Sequence, residues 1–266
     1  MGGCELVYHV AGVNSHCPED PRRLWQVNVA GAREVVLAAA GAGIGRVVMT
    51  SSAAVIGEAP GTVGTEDSPH RGWFLSLYER SKLVGEQAAT RAAAERDVEL
   101  VTVHPTSVHG PPRVRGNGAI LIAYANRRLR AFVDTHISIV DVRDVVDAHL
   151  SAAERGRPGR RYLLSAPAIT SSEALEMLVA ASGVRYPVWF MPRGLARGVA
   201  TVVDLGLRAR RRRSPVCRAR VETLLHGHRY DGTRAARELG VSYTPPAEIF
   251  RRTIAWATDQ GLIAGG

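Results

Sequence analysis

The chain almost lacks lysine: of its 34 basic residues only Lys82 is a lysine, and the rest are arginines. Against 25 acidic residues this leaves a formal net charge of +9 and a pI near 10.2. A basic balance invites a nucleic-acid or anionic-surface partner. Here the excess is arginine in a chain rich in alanine, glycine and valine, as a GC-rich coding sequence would also give, so no nucleic-acid partner is expected. Cysteine is scarce as well. Cys4, Cys17 and Cys217 are odd in number and form no C-x-x-C pair, which indicates neither a disulfide framework nor a zinc site. No apolar run approaches the ~20 residues of a membrane span and no signal peptide opens the chain, so a soluble, cytoplasmic protein is expected. No internal repeat is apparent. What is present suffices for a folded core: 266 residues, 45% hydrophobic, with a mean hydropathy of −0.05.

The first half alternates apolar runs with helix-period segments. Strands are predicted over 5–12, 46–52 and 98–105, and helices over 19–41 and 75–96. Continuous valine-rich strands alternating with helices predict an α/β fold with a parallel sheet covered on both faces. Ligands of such sheets bind beyond the carboxyl ends of the strands. Those ends carry "AGVNSH", "TSSAAVIG" and "HPTSVHGPP". The second half loses the rhythm. A helix is predicted over 117–130, a short strand running into a helix over 137–156, and a strand over 161–166. Helical segments follow at 171–182, 193–207, 215–226, 231–239 and 246–261. The division expected is a sheet domain over 1–167, with 111–136 contributing to the substrate pocket, and a helix-rich cap over 168–266.

Within "WFLSLYERSK" (73–82), Tyr78 and Lys82 stand four residues apart, on one face of a helix. An ammonium beside a phenol favours phenolate, which turns a tyrosine into an acid/base usable nearer neutral pH. Ser52 ends the second predicted strand, and the long loop 53–74 lets its hydroxyl converge with Tyr78 and Lys82 above one strand end. Serine and tyrosine aimed at one oxygen would hold a substrate alcohol or carbonyl. The partner chemistry is hydride transfer to or from a nicotinamide.

The stretches "VYHVAG" (7–12), "VNVAGAREVVLAA" (27–39), "RVVMTSSAAVIG" (46–57), "YERSK" (78–82), "HPTSVHGP" (104–111) and "SIVDVRDVVDAHL" (138–150) together resemble the extended short-chain dehydrogenase/reductase family. That family includes NAD-dependent epimerases and dehydratases, dihydroflavonol reductases and 3β-hydroxysteroid dehydrogenases. By this resemblance Ser52, Tyr78 and Lys82 match the catalytic triad. Tyr78 and Lys82 also touch the cofactor, NAD or NADP. Asn28 matches an asparagine that supports the active-site region. Ala11 and Gly12 match backbone passing the cofactor, and Pro105, Ser107 and Val108 match the loop beside the nicotinamide. The fold implied is a Rossmann-like doubly wound sheet with a helical cap. Ser52-Ala53 stands where sugar dehydratases place an acidic pair, which implies a reductase, a dehydrogenase or a nucleotide-sugar 4-epimerase. The reductase branch, acting on a nonsugar or lipid-like small molecule, is the preferred expectation, and a homodimer is left open.

Such proteins open on a strand, a glycine-rich turn and a helix that receives the pyrophosphate. No such motif exists here. "GAGIGR" (41–46) precedes a strand and reads as a helix stop and turn. About 60–80 residues, two to three strand–helix units at roughly 30 each, would be needed to supply it. The preferred expectation is a start upstream of Met1; the alternatives are a non-catalytic remnant and a partner chain supplying that half. The product as it stands is expected to hold the dinucleotide weakly and to expose an apolar sheet edge.

His9, His16, His70, His104 and His109 gather at strand ends without metal-ligand spacing, so no metal is expected; His16 and His70 are candidate substrate contacts. "RARRRR" (208–213), after an apolar stretch, reads as a solvated charged turn in preference to a membrane contact. Asp231 in "YDGTRA" reads as a structural helix cap.

Overall fold

The computed structural model describes residues 3–112, 114, 116–209 and 217–263. Strand β1 (Leu6–His9) leads to a helical stretch made of α1 (Pro21–Leu24), a π-helical segment (Trp25–Gly31) and α2 (Ala32–Gly41). Then come β2 (Arg46–Thr50), a 3₁₀ turn (Ala53–Ile56), α3 (Leu77–Arg96), β3 (Glu99–Pro105) and β4 (Ser107–His109). They are followed by α4 (Asn117–Ala125), β5 (Ala131–Phe132), β6 (His136–Ile137), β7 (Ile139–Asp141), α5 (Val142–Arg155) and β8 (Arg161–Leu164). The rest comprises β9 (Ile169–Thr170), α6 (Ser171–Ser182), β10 (Trp189–Phe190), α7 (Arg193–Ala209), α8 (Arg218–His226), α9 (Thr233–Leu239) and α10 (Pro246–Asp259).

The fold is α/β. Its sheet is parallel, in the order β1-β2-β3-β8, with Val7 opposite Val47 and Val103 opposite Tyr162. Side chains alternate across each strand, so consecutive valines serve both faces. Val47 and Met49 pack with Val36 and Ala39 of α2 and Ala89 and Ala92 of α3. Val48 and Val101 point the other way, to Ala148 and Ala152 of α5. Helix α9 follows the cap helices in the chain yet returns to this second face, burying Ala235 and Leu239 there. The cap proper gathers around Tyr124, Ile249 and Phe250 from α4 and α10, with Leu178 of α6.

Local signals account for the ends. Ser76 caps α3 by accepting from the Glu79 amide at 3.2 Å. Thr170 and Glu173 form a capping box at α6, and Asp141 caps α5. "GAGIGR" is a helix stop and turn, as read: α2 ends at Gly41 and Gly43 takes a φ of 72°. Helix α4 stops at Ala125, short of the predicted 130, because Arg127 turns to a φ of 57°.

One close approach positions the site. Helix α3 crosses the π-helical segment at Gly85, where an added Cβ would lie 1.9 Å from the Asn28 carbonyl oxygen. Only a residue without a side chain allows that contact. Gly85→Ala should therefore lower stability by about 1–3 kcal/mol, the usual cost of overpacking. Gly41→Ala, where nothing lies within 4 Å, should be neutral or slightly stabilising. Urea unfolding of the two variants checks this; equal midpoints would disprove the contact.

Candidate active site

The carboxyl ends of β1, β2 and β3 open on one edge of the sheet, as parallel pairing requires. The loop leaving β1 runs exposed through Ala11 and Gly12. Asn28 fastens it: its Oδ1 accepts from the Val13 amide at 2.8 Å, and its Nδ2 donates to the Val13 carbonyl and the Ser81 hydroxyl, both at 3.0 Å. Ser81 in turn donates to the Tyr78 carbonyl at 2.8 Å. Asn28 thus bridges the β1 loop to the turn of α3 that carries Tyr78. The π-helical geometry around Asn28 is of a kind often found at functional positions.

Lys82 follows Tyr78 by one turn, and its Nζ donates to the Thr50 carbonyl, at the end of β2, at 2.9 Å. Desolvation lowers the Lys82 ammonium to about 8, against a smaller upward pull from Glu86. A Cβ placed on Gly12 would stand 3.8 Å from that Nζ and 3.5 Å from Asn28 Oδ1. Gly12, Asn28 and Lys82 therefore form a narrow cradle at the strand ends. Tyr78 is buried, with His16 edge-on to its ring at 5.2 Å. Burial, then Arg220 and His228, push His16 down to about 4, so the wall beside Tyr78 is uncharged at neutral pH. Ser52 lies two residues beyond Thr50, and its Oγ accepts from the Ala54 amide at 3.3 Å, capping the 3₁₀ turn.

Pro105 ends β3, the neighbouring strand. Ser107 and Val108 lie in β4, paired with Ile139 and Val140 of β7. The Ser107 hydroxyl is engaged by His109 Nε2 at 3.0 Å and by the Asn117 amide. Val108 lines a cavity of about 260 Å³ with Gly110, Pro111, Pro112 and Val142. His70 does not join the cradle. Its ring covers Gly57, which has a φ of 61° and where a Cβ would fall 2.2 Å from the imidazole.

Two features escaped the sequence reading. Contrary to its inference from cysteine count, Cys17 is disulfide-bonded to Cys217. The partners stand 200 residues apart in sequence, and only the fold brings the loop beside His16 to the start of α8. The second feature is a set of buried acids around the site. Glu86, one turn after Lys82, takes the Ser51 hydroxyl, His104 Nε2 at 2.7 Å and Arg161 Nε at 2.9 Å. Burial alone would raise its carboxyl; His104, Arg161 and Ser51 outweigh that and bring it to about 2. Glu79, the residue after Tyr78, pairs with Arg71.

Glu58, 1% exposed, has His228 Nδ1 at 2.6 Å and His226 Nε2 at 3.3 Å from its Oε1. These three groups lie within 4.8 Å of one another; Glu58 Oε1 bonds His228 Nδ1, while Glu58 Oε2 and His226 Nε2 are buried without a well-aligned hydrogen-bond partner among the described residues. His226 also lines a cavity of about 410 Å³ with Thr135, Arg193 and Arg229. A usable signal was present: "HGH" (226–228) places two histidines at one helix end. The partner acid lay 170 residues away.

A sequence profile described as the NAD dependent epimerase/dehydratase family matches residues 1–165. "Sterol demethylase protein B" of Methylococcus capsulatus is 33% identical over 273 residues, covering 99% of this chain and 81% of that protein. A "putative dihydroflavonol 4-reductase" of Synechocystis is 30% identical over 272 residues, covering 99% and 79%. The solved structure of gox2253 superposes with a TM-score of 0.85 at 26% identity, covering 98% of this chain and 81% of that one.

Burial alone would raise the Glu58 carboxyl, but hydrogen bonds from His226 and His228 and the charge of His228 bring it to about 2 from 4.5. A depressed carboxyl contributes stability that is complete above its unfolded value and is lost as pH falls through the folded one. That window runs here from about 4.5 down to about 2, with a full contribution of about 3 kcal/mol. Glu58→Gln should lower the urea midpoint at pH 7, and the gap to wild type should shrink as pH drops to about 3. A gap constant across that range would refute the assignment.

Proposed function

The chain belongs to the NAD dependent epimerase/dehydratase family, and from that premise we propose that it is an NAD(P)-dependent oxidoreductase interconverting a secondary alcohol and a ketone. The observation that carries the reading is Lys82. Its ammonium is anchored on the Thr50 carbonyl one turn after Tyr78, beside the bare backbone of Gly12.

In the reducing direction Tyr78 donates its phenolic proton to the carbonyl oxygen of the substrate; in the oxidising direction it takes the proton back from the alcohol. Lys82 favours the phenolate left behind, and Ser52 orients the same substrate oxygen by its hydroxyl. The dinucleotide fits the cradle on chemical grounds. One ammonium hydrogen goes to Thr50, and an ammonium has three to give, so Lys82 can also serve ribose hydroxyls. Gly12 lets the backbone approach, and Asn28 keeps that backbone in place. When bound, the nicotinamide supplies or accepts the hydride. Pro105, at the end of the neighbouring strand, and Ser107 and Val108, in β4, complete the edge. The neutral His16 wall suits an uncharged substrate, and the named relatives, a sterol demethylase protein and a dihydroflavonol reductase, support a nonsugar one.

The test is turnover of NADH and NADPH with dihydroflavonol and ketosteroid probes. Tyr78→Phe should lose ~10²–10⁴-fold in turnover, the usual worth of a general acid/base, with dinucleotide affinity near wild type. Ser52→Ala should lose less. Lys82→Met should move the pH–rate midpoint upward, because the phenol loses the cation that lowers its pKa. Activity of Tyr78→Phe within about threefold of wild type would overturn the assignment and leave family membership without this chemistry.

A further inference from the structure

Helix α7 (Arg193–Ala209) is amphipathic in an unusual sense: most of its apolar face points away from the protein. Ala196 and Ala200 are buried, and Ala196 packs against Val133 and Leu225. Arg197 ties the helix to Glu222 of α8 at 3.1 Å, and Arg193 bonds the Leu225 carbonyl. These contacts fix which side is inward. At 100° per residue, Leu195, Val199, Val202 and Leu205 fall on the remaining arc. All four are exposed, Val202 at 70% and Leu205 at 62%. Trp189, three residues before Pro192 and the helix, is exposed at 54%. Isolated exposed apolar residues are ordinary, but a helical stripe of four with a tryptophan at its head is a surface that seeks a partner.

Charge selects the partner. Residues 193–213 hold seven arginines and one aspartate, a net +6 of the chain's +9. A second copy docked on this stripe would bring two such concentrations together, at a repulsive cost. An anionic lipid surface would instead accept the apolar side chains among its acyl chains and the arginines among its headgroups. Tryptophan prefers that same interface. The helix has 17 residues, and among the described residues no helix is long and apolar enough to cross a bilayer, so it would lie on the surface. We propose that the exposed apolar stripe of α7 docks the protein on anionic membranes. Of the arginine run over 208–213, read from the sequence as a solvated turn after an apolar stretch, residues 210–213 lie outside the described residues. The proposal does not depend on the reaction assigned above.

The test is cosedimentation of the purified full chain with vesicles of phosphatidylcholine alone and of phosphatidylcholine with about 30 mol % phosphatidylglycerol, roughly one charge in three lipids. Binding should favour the anionic vesicles by tenfold or more and fall several-fold as salt is raised. Val202→Glu/Leu205→Glu should reduce binding at least tenfold while leaving the melting temperature and Tyr78-dependent turnover unchanged. Val202→Trp, which retains the fold at an exposed position, should strengthen binding. Equal binding to both vesicle types, or binding unaffected by the paired glutamates, would overturn the proposal. So would a dimer in sedimentation velocity that those glutamates dissociate, with no vesicle binding.

Discussion

The site depends on a glycine contact. Because Gly85 presents no side chain, α3 can press against the π-helical segment until the two backbones touch at Asn28. That approach brings the Asn28 amide within reach of Ser81 on α3 while its other hydrogen bonds hold Val13 of the β1 loop. A backbone loop at a strand end has no regular ladder to fix it. Here one buried amide makes three bonds and so ties the β1 loop to α3. Lys82 then meets the Thr50 carbonyl as a consequence of where α3 lies.

Around that contact the structure buries three carboxylates, a residue type that is rarely buried unless paired. Glu58, Glu79 and Glu86 are all buried, and each faces cationic or histidine partners from distant segments: His226 and His228, Arg71, and His104 with Arg161. Desolvation makes an unpaired buried carboxylate costly by several kcal/mol, so removing one partner leaves an uncompensated charge. The pairs therefore act as registers. Glu86 joins α3 to β3 and β8, and Glu58 joins the loop after Ser52 to the end of α8. A cap that rotated away from the sheet would have to strand Glu58, which links the position of α8 to the geometry beside Tyr78.

What was legible in the sequence was local. Strand and helix periods gave the sheet, its parallel sense and most helix bounds, with α6 predicted residue for residue at 171–182. The cradle was legible in two ways: the four-residue spacing put Tyr78 and Lys82 on one helix face, whereas Gly12 and Asn28 came from the family resemblance. The pieces that were missed are long-range. Nothing near Cys17 points to Cys217, and nothing near Glu58 points to "HGH". The two-residue strands β5 and β10 were invisible because pairing between distant segments, and not their own composition, defines them. Exposure was the other blind spot. Periodicity shows that α7 is amphipathic but not which side the protein covers, and two alanines against Val133 and Leu225 decide it.

The single lysine is best understood through what an arginine could not do in its place. The proposed chemistry asks for a compact cation, close to a phenol and a backbone carbonyl, with donors left for hydroxyls. A guanidinium is a planar fork that holds its charge at any working pH and needs room on both edges. At Lys82 the Thr50 carbonyl is 2.9 Å away and the Gly12 backbone closes the other side, so a fork would displace the loop that Asn28 holds. Desolvation also tunes an ammonium, here to about 8, whereas a guanidinium is scarcely moved. In a chain whose other lysine and arginine positions are all arginine, shape and tunable charge both favour an ammonium at the cradle.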